Sequence, residues 1–292
     1  MRGQQGEVLT KSAAYVLGSP VAHSLSPVLH RAAYASLGLT DWSYAAREVD
    51  ESGFAAFVAG CGPEVRGLSL TMPLKEIAFT VADQVSDRAR QAGAINTLVR
   101  TPTGWAGDNT DIAGIRATLG PARVGERGLI LGAGATARSA LIALHQSGAG
   151  AVVVAARDPR KAAAGLRPLG DALGVTVSFV ELTSWVPAAA ALTVSTLPPA
   201  GALVAADALT RTVGARGRPA AGATLAGVRL LDVVYADWPT PLARAAAAAG
   251  AQVHSGLEML VHQAVLQVEL MTGARPDPQV LLAAGQAAVA AR

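Results

Sequence analysis

The sequence contains a single cysteine, Cys61, in 292 residues. One cysteine can form no disulfide within the chain and no thiolate metal cluster, so disulfide-rich and zinc-ribbon proteins are excluded. None of the five histidines has the spacing of a metal site, and we expect no metal. A reducing compartment fits this cysteine usage, so we expect a cytoplasmic protein.

Charged and aromatic residues are also scarce, at 15% and 4% of the chain. Globular proteins are about 25% charged. The hydrophobic fraction of 51% excludes intrinsic disorder, because such a chain collapses around a core. The net charge is only +3, no basic run reaches five residues, and few rings are present to stack on bases. We therefore expect no nucleic-acid partner.

Long and strongly apolar runs are lacking as well. The N-terminal residues 1–11 are too polar for the apolar region of a signal peptide. The longest apolar stretches, 186–206 and 280–291, are rich in alanine and interrupted by proline or glycine. A membrane span needs about 20 strongly apolar residues, so we expect a soluble protein with no membrane partner.

What the chain does contain is an alternation of strand-like and helix-like segments, which is typical of an α/β protein. Its length predicts two domains. Strands are predicted at 13–17, 44–49, 65–71, 95–99, 104–107, 128–131, 151–155, 175–180, 191–195 and 228–234, with a hairpin joining the fourth and fifth. Helices are predicted at 27–37, from about 74, from Asp111 to Gly120, at 136–147 and at 256–272, whereas 198–224 resembles a loop. Ser26 and Asp111 are predicted to be helix N-caps.

A glycine-rich loop joins strand 128–131 to helix 136–147. Its sequence is Gly132-Ala133-Gly134-Ala135-Thr136-Ala137, which matches G-x-G-x-x-G/A between a strand and a helix. The glycines permit a tight turn and the close approach of a pyrophosphate, which the helix N-terminus stabilises. The loop therefore predicts dinucleotide binding by residues 132–136; the alternative is an ordinary tight turn.

The end of strand 151–155 indicates which dinucleotide is bound. An NAD site has a carboxylate there for the ribose 2′-hydroxyl, whereas an NADP site has arginine for the 2′-phosphate. The strand ends in alanine and is followed by Arg157-Asp158-Pro159-Arg160-Lys161. We predict that Arg157 and Lys161 bind the 2′-phosphate, which favours NADP over NAD. Asp158 either reaches a ribose hydroxyl or caps the next helix.

Six motifs, in order along nearly the whole chain, resemble those of shikimate dehydrogenases. They are Gly18-Ser19-Pro20-Val21-Ala22-His23-Ser24-Leu25-Ser26-Pro27, Thr71-Met72-Pro73-Leu74-Lys75, Gly93-Ala94-Ile95-Asn96-Thr97, Gly107-Asp108-Asn109-Thr110-Asp111, Asp232-Val233-Val234-Tyr235 with Thr240-Pro241-Leu242, and Gly256-Leu257-Glu258-Met259-Leu260 with Gln263-Ala264. Three positions depart from the family pattern: Ser69 stands for the usual Asn, Ala135 for a common glycine, and Ala156-Arg157-Asp158 for Asn-Arg-Thr.

The resemblance implies an N-terminal α/β substrate domain and a Rossmann dinucleotide-binding domain, with the active site in the cleft between them. We place the substrate domain at residues 1–111 and 257–292 and the Rossmann domain at 112–256. The implied reaction is the reversible, NADPH-dependent reduction of 3-dehydroshikimate to shikimate in aromatic amino-acid biosynthesis. A quinate or aminoshikimate dehydrogenase that uses NAD is an alternative, and a non-catalytic nucleotide-binding protein is a remote one.

The resemblance also implies a role for individual residues. Lys75 and Asp111 form the acid–base pair, and Asp111 also contacts a substrate hydroxyl. The remaining roles are a carboxylate site of Ser24, Ser26 and Tyr235, ring-hydroxyl contacts of Thr71, Asn96 and Gln263, and cofactor contacts of Val233, Gly256 and Met259, with Met259 packing on the nicotinamide. The oligomeric state is expected to be a monomer or a homodimer.

Without the family, most of these residues have ordinary structural interpretations. Asn96 resembles a turn residue, Gln263 a surface residue and Met259 a core methionine. Lys75 is more suggestive, because only three of the 24 basic residues are lysines. Reduction of a ketone needs an acid for the developing alkoxide, and lysine, unlike arginine, can give up its proton in a protein.

Overall fold

A computed structural model of the chain describes residues 11–185, 192–213 and 225–292. Its strands, in chain order, are β1 (Ser12–Gly18), β2 (Trp42–Glu48), β3 (Val65–Leu70), β4 (Gln84–Val85), β5 (Thr97–Thr101), β6 (Gly104–Asp108), β7 (Gly128–Leu131), β8 (Ala151–Ala156), β9 (Thr176–Glu181), β10 (Leu192–Ser195), β11 (Arg229–Asp232) and β12 (Gln252–Ser255). Its α-helices are α1 (Ser26–Ser36), α2 (Glu51–Ala59), α3 (Leu74–Ile77), α4 (Asp87–Ala92), α5 (Asp111–Leu119), α6 (Ala135–Gln146), α7 (Pro159–Leu173), α8 (Pro199–Val213), α9 (Pro241–Ala248), α10 (Gly256–Thr272) and α11 (Pro278–Ala290).

The chain divides into two compact units. Unit 1 comprises Met1–Ser86, Ile95–Asp108 and Ala264–Arg292, and unit 2 comprises Asp87–Ala94 and Asn109–Gln263. The boundaries that we placed after residues 111 and 256 stay a prediction.

Unit 1 contains a mixed six-stranded sheet with the order β2-β1-β3-β5-β6-β4. β1 pairs in parallel with both β2 and β3, so these three strands end at the same edge. β5 and β6 form the predicted antiparallel hairpin, and β5 also runs antiparallel to β3. Because of this reversal, the beginning of β5 lies beside the end of β3, and polar residues from both strands meet there.

Unit 2 contains a parallel six-stranded sheet with the order β9-β8-β7-β10-β11-β12. The chain order reverses between β7 and β10. In open parallel sheets, ligands bind at such a reversal, outside the carboxyl ends of the strands. The glycine loop directly follows β7, so it lies at this point. The predicted α/β fold class is confirmed.

The two faces of the unit 2 sheet pack against separate apolar clusters. Ile130 of β7 packs into one cluster with α6, while Leu129 and Leu131 pack into the other with α8 and α9. Successive side chains of a strand point to opposite faces, so both faces of β7 are buried. This burial explains why strand 128–131 is a continuous apolar run in the sequence rather than an alternating one.

The predicted loop at 198–224 is wrong for Pro199–Val213, which forms helix α8. Proline is compatible with the first position of a helix, where its missing N–H costs nothing. Three parts of the predicted regions lie outside the described residues. They are 214–224 of that loop, 186–191 of the apolar stretch 186–206, and the N-terminal residues 1–10. Residue 191, the first of the predicted strand 191–195, is among them. The predictions also omitted elements that the structure contains: α2, α4, α9, α11, β4 and β12.

Among the helices of the described residues, none combines the length and the apolar character that crossing a membrane requires.

Candidate active site

The carboxyl ends of β1 and β3 carry polar residues of unit 1. Thr71 directly follows β3, and its N–H donates to the Leu17 carbonyl of β1 at 2.9 Å. Gly18 ends β1, and a Cβ atom at that position would lie 2.3 Å from Thr71 Cγ2. Only glycine permits this approach of the two strand ends. The half-buried Thr71 side chain therefore has a fixed place at the sheet edge.

Asn96 and Lys75 are joined to the same edge by backbone hydrogen bonds. The Asn96 carbonyl accepts from the Leu70 N–H at 2.8 Å, and the Lys75 carbonyl accepts from the Ile95 N–H at 2.8 Å. Asn96 is buried and Lys75 is half-buried. α3, which carries Lys75, spans a single turn, so its dipole opposes a lysine only weakly.

Ser24 and Ser26 lie in the connection from β1 to α1. The prediction that Ser26 is the N-cap is wrong, because Leu25 occupies that position and makes no capping side-chain bond. Ser26 is the first residue of α1 and is buried, and its N–H donates to Ser24 Oγ at 3.2 Å. Its carbonyl contacts Nδ1 of the buried His30 at 2.9 Å. Ser24 therefore orders the start of the helix.

Asp111 and Gln263 are brought together in unit 2. The prediction that Asp111 is an N-cap is wrong, since Thr110 holds that position and Asp111 is the first helical residue. Its side chain is buried, and Gln263 Nε2 donates to Asp111 Oδ1 at 2.6 Å. α5 and α10 approach closely at Gly114, where a Cβ atom would lie 2.8 Å from the Met259 carbonyl. Met259 itself is 4% exposed and belongs to the unit 2 core.

The glycine loop has the geometry of a phosphate-binding turn. Gly132 has φ of +113°, and a Cβ atom there would lie 2.3 Å from Thr196 Oγ1. Gly134 is the N-cap of α6, makes no side-chain capping bond and faces open space. The N–H groups of the first turn, including those of Ala135 and Thr136, therefore have no capping side chain, as an anion site at a helix N-terminus requires.

The first turn of α7 differs from that of α6, because it is capped from within the chain. Asp158 Oδ1 accepts hydrogen bonds from the N–H groups of Arg160 and Lys161, both at 3.0 Å. Of its two sequence interpretations, the structure therefore supports the helix cap. The Arg157 and Lys161 side chains are exposed, and neither has an ion-pair partner in the described ranges.

Val233 and Gly256 adjoin each other at the ends of β11 and β12. A Cβ atom on Gly256 would lie 2.0 Å from the Val233 carbonyl, so only glycine fits. Asp232 at the end of β11 is buried and accepts from Thr240 Oγ1 at 2.7 Å. Burial raises the pKa of Asp232, and the Thr240 hydrogen bond partly offsets this effect. Tyr235 follows in this connection and is half-buried.

A hydrogen bond between His254 and Glu258 spans the turn at Gly256, where α10 begins. His254 Nδ1 lies 2.8 Å from Glu258 Oε2, and the Ser255 N–H donates to Glu258 Oε1 at 3.3 Å. Burial acts to raise the pKa of Glu258, but the hydrogen bonds from His254 and the Ser255 N–H, together with the charges of His254 and His262, lower the pKa below its ordinary value.

The sequence predictions missed a buried polar cluster beside Asn96. It consists of Tyr44, Ser69, Thr97 and Gln267, which hydrogen-bond to one another and to Asn96 at distances from 2.6 to 3.5 Å. The departure of Ser69 from the family pattern was the one signal in the sequence that pointed to it.

Comparison with known proteins relates both ends of the chain to one family. A family model described as the shikimate dehydrogenase substrate binding domain matches residues 16–98, and one described as the shikimate 5'-dehydrogenase C-terminal domain matches residues 256–284. The shikimate dehydrogenase (NADP(+)) of Synechococcus sp. (strain JA-2-3B'a(2-13)) is 37% identical over 265 residues, which cover 90% of each chain.

Solved structures of shikimate dehydrogenases match 95% of this chain. The shikimate dehydrogenase of Mycobacterium tuberculosis is 44% identical, with a TM-score of 0.83 over 95% of this chain and 99% of that one. The shikimate 5-dehydrogenase of Thermus thermophilus, solved in complex with NADP(H) and shikimate, is 32% identical, with a TM-score of 0.75 and coverage of 95% and 99%.

Proposed function

The chain belongs to the shikimate dehydrogenase family, and from that premise we propose that it catalyses the reversible, NADPH-dependent reduction of 3-dehydroshikimate to shikimate, a step of aromatic amino-acid biosynthesis. The observation that carries the proposal is the convergence in unit 1 of residues from two motifs, Thr71–Lys75 and Gly93–Thr97. Backbone hydrogen bonds hold the segments of Thr71, Lys75 and Asn96 at one edge of the sheet, although 25 residues separate Thr71 from Asn96.

The residues of unit 2 fit a dinucleotide. The left-handed Gly132, the open space at Gly134 and the uncapped first turn of α6 suit a pyrophosphate. Gly132, Ala133, Gly134, Ala135 and Thr136 would hold it, while Val233, Gly256 and Met259 would contribute to the nicotinamide end.

The choice of NADP is supported by the start of α7. Arg157 and Lys161 are exposed cations at a helix N-terminus, where a phosphate offsets their conflict with the dipole. The Asp158 carboxylate is used as the helix cap, which weakens the NAD alternative. Arg157 and Lys161 would bind the 2′-phosphate.

The proposed chemistry assigns the proton to Lys75. NADPH supplies the hydride when it is bound. As the ketone becomes an alcohol, its oxygen gains negative charge and needs a proton, which the Lys75 ammonium delivers; in the oxidation direction the lysine accepts it. Asp111 is the other member of the acid–base pair and holds a substrate hydroxyl, with its carboxylate oriented by Gln263.

Substrate binding divides into two parts in this proposal. Ser24, Ser26 and Tyr235 take the carboxylate, because hydroxyls beside a helix N-terminus suit an anion. Thr71, Asn96 and Gln263 take the ring hydroxyls. The fixed positions of Thr71 and Asn96 at the sheet edge support this division.

Oxidation of shikimate by the purified protein tests the function. Reduced-nucleotide absorbance is followed with NADP and with NAD, each against shikimate and quinate. We expect turnover of shikimate with NADP to dominate. Faster turnover of quinate with NAD would support the alternative within the family, and nucleotide binding without turnover of any pair would support the non-catalytic one.

A cytoplasmic location and a monomeric or homodimeric state complete the proposal. The single cysteine supports a reducing compartment. Sedimentation of the purified protein decides between monomer and homodimer.

A further inference from the structure

Five side chains form a continuous buried chain of hydrogen bonds within unit 1. Tyr44 Oη lies 2.6 Å from Ser69 Oγ, which lies 3.0 Å from Gln267 Oε1. Gln267 Nε2 lies 3.0 Å from Thr97 Oγ1, which lies 2.9 Å from Asn96 Oδ1. All five residues are less than 5% exposed. We call this chain the Tyr44–Asn96 relay.

The direction of the relay is fixed by one backbone group. Gln267 Nε2 also lies 3.5 Å from the Asn96 carbonyl, which can only accept. A flipped Gln267 amide would place two oxygens against each other, so Nε2 faces Thr97 and Asn96 while Oε1 faces Ser69. Ser69 must then donate to Gln267 and accept from Tyr44.

The other half of the relay follows from the same orientation. Thr97 Oγ1 accepts from Gln267, so its own hydrogen is directed to Asn96 Oδ1. Asn96 Oδ1 is therefore held inside the protein, and this bond sets the orientation of the Asn96 amide.

From this geometry we propose that Gln267 is a positioning residue for substrate recognition, which acts with Tyr44, Ser69 and Thr97 to orient the Asn96 amide. Ser69 has both a donor and an acceptor role inside the relay, and through these two bonds it supports Asn96. The inference rests on the proposed function, in which Asn96 contacts a ring hydroxyl.

A double-mutant cycle tests whether Gln267 acts through Asn96. Gln267→Met keeps the approximate volume of the side chain and removes its three hydrogen bonds, to Ser69, Thr97 and the Asn96 carbonyl. The Asn96 amide then loses orienting energy equal to about one hydrogen bond, so KM for shikimate should rise about two- to tenfold. KM for NADP should stay unchanged, and kcat should change little. In the Asn96→Ala background the same change should add nothing, because coupled residues are not additive.

Two results would overturn the inference in distinguishable ways. If Asn96→Ala alone leaves KM for shikimate unchanged, the proposed substrate contact is wrong and the inference falls with it. If Asn96→Ala raises KM but Gln267→Met has no effect, or its full effect persists in the double variant, the contact stands and the relay is wrong.

Matched substitutions keep the test valid if Gln267→Met folds poorly. Thr97→Val removes the hydroxyl next to Asn96 and should raise KM for shikimate, whereas Thr97→Ser keeps the hydroxyl and should keep KM near the wild-type value.

At the end of the relay farthest from Asn96, Tyr44→Phe should give a smaller rise in KM for shikimate. Its control is Tyr34→Phe, because the buried Tyr34 hydroxyl has no hydrogen-bond partner among the described residues. Equal effects of the two tyrosine variants, or no rescue by serine, would contradict the relay.

Discussion

Gln263 Nε2 donates a hydrogen bond of 2.6 Å to Oδ1 of Asp111, across 152 residues of sequence. The bond joins the first residue of α5 to the middle of α10. The amide nitrogen can only donate, so it fixes the orientation of the carboxylate by one of its two oxygens. Asp111 is thus held by a side chain that we also assign to substrate binding.

Asp111→Asn should lower kcat at least tenfold and raise KM for shikimate, because it removes the carboxylate but keeps an oxygen that can accept from Gln263. Steady-state kinetics and circular dichroism check both points. Asp171→Asn, an exposed carboxylate change on α7, is the control and should leave both constants as they are. Normal kinetics in a destabilised Asp111→Asn protein would mean that Asp111 serves the fold alone.

Lys75→Ala should reduce kcat about 10²- to 10⁴-fold, which is the usual contribution of general acid–base catalysis, with a much smaller change in KM. The exposed Lys11 offers a matched control, and Lys11→Ala should retain full turnover. Near-normal turnover of Lys75→Ala would remove this lysine from the proposed chemistry.

Arg157→Ala should weaken NADP binding about ten- to hundredfold, since a charge-assisted hydrogen bond contributes roughly 1.5–3 kcal/mol. NAD has no 2′-phosphate, so its affinity should hardly change, and the ratio of the two dissociation constants is the quantity to measure. Arg167→Ala on the same helix is the control, because that guanidinium lies over the Phe179 ring. Equal losses for both nucleotides would assign Arg157 to the fold.

His30 should make the protein less stable in mild acid. Burial lowers its pKa from 6.5 to about 4, and the contact with the Ser26 carbonyl opposes this effect only in part. Between these two pH values the unfolded chain binds a proton that the folded protein does not, so the free energy of unfolding falls as the pH falls. The loss is roughly 2 kcal/mol at pH 5.

Urea titrations at pH 7 and pH 5 measure that loss. His30→Gln keeps an N–H donor for the Ser26 carbonyl and should reduce the difference between the two pH values by roughly this amount. His23→Gln, at an exposed histidine, should leave it as in the wild type. An unchanged pH dependence in His30→Gln would show that other groups cause it.

The elements that were predictable from the sequence have local signals. The β7–α6–β8 unit combines an apolar run, a glycine loop and a second apolar run, and each of its ends agrees with the prediction to within one residue. α8 was missed because Pro198, Pro199 and Gly201 resemble loop residues, although the helix begins at Pro199. The cap positions of α1 and α5 were each wrong by one residue, since a serine or an aspartate suits either the cap or the first turn.

The candidate site was predictable for those residues that lie in the ordered family motifs. Thr71, Lys75 and Asn96 were identified by the family resemblance, and no local pattern would have placed them together. Gln267 has no such signal: it is one of several polar residues on α10, and its partners Ser69 and Thr97 are 198 and 170 residues away. Contacts of that range arise from packing and leave no local trace in a single sequence.

The uncapped first turn of α6 has a consequence for how long the protein survives in its host. Because no side chain caps this turn, a nucleotide phosphate can bind there, and a ligand that binds the folded chain alone stabilises it by mass action. At one hundred times its dissociation constant, such a ligand adds about 2.7 kcal/mol to the free energy of unfolding. The steady-state level of the enzyme should therefore follow the size of the nucleotide pool, with more of it lost to proteolysis when that pool is depleted.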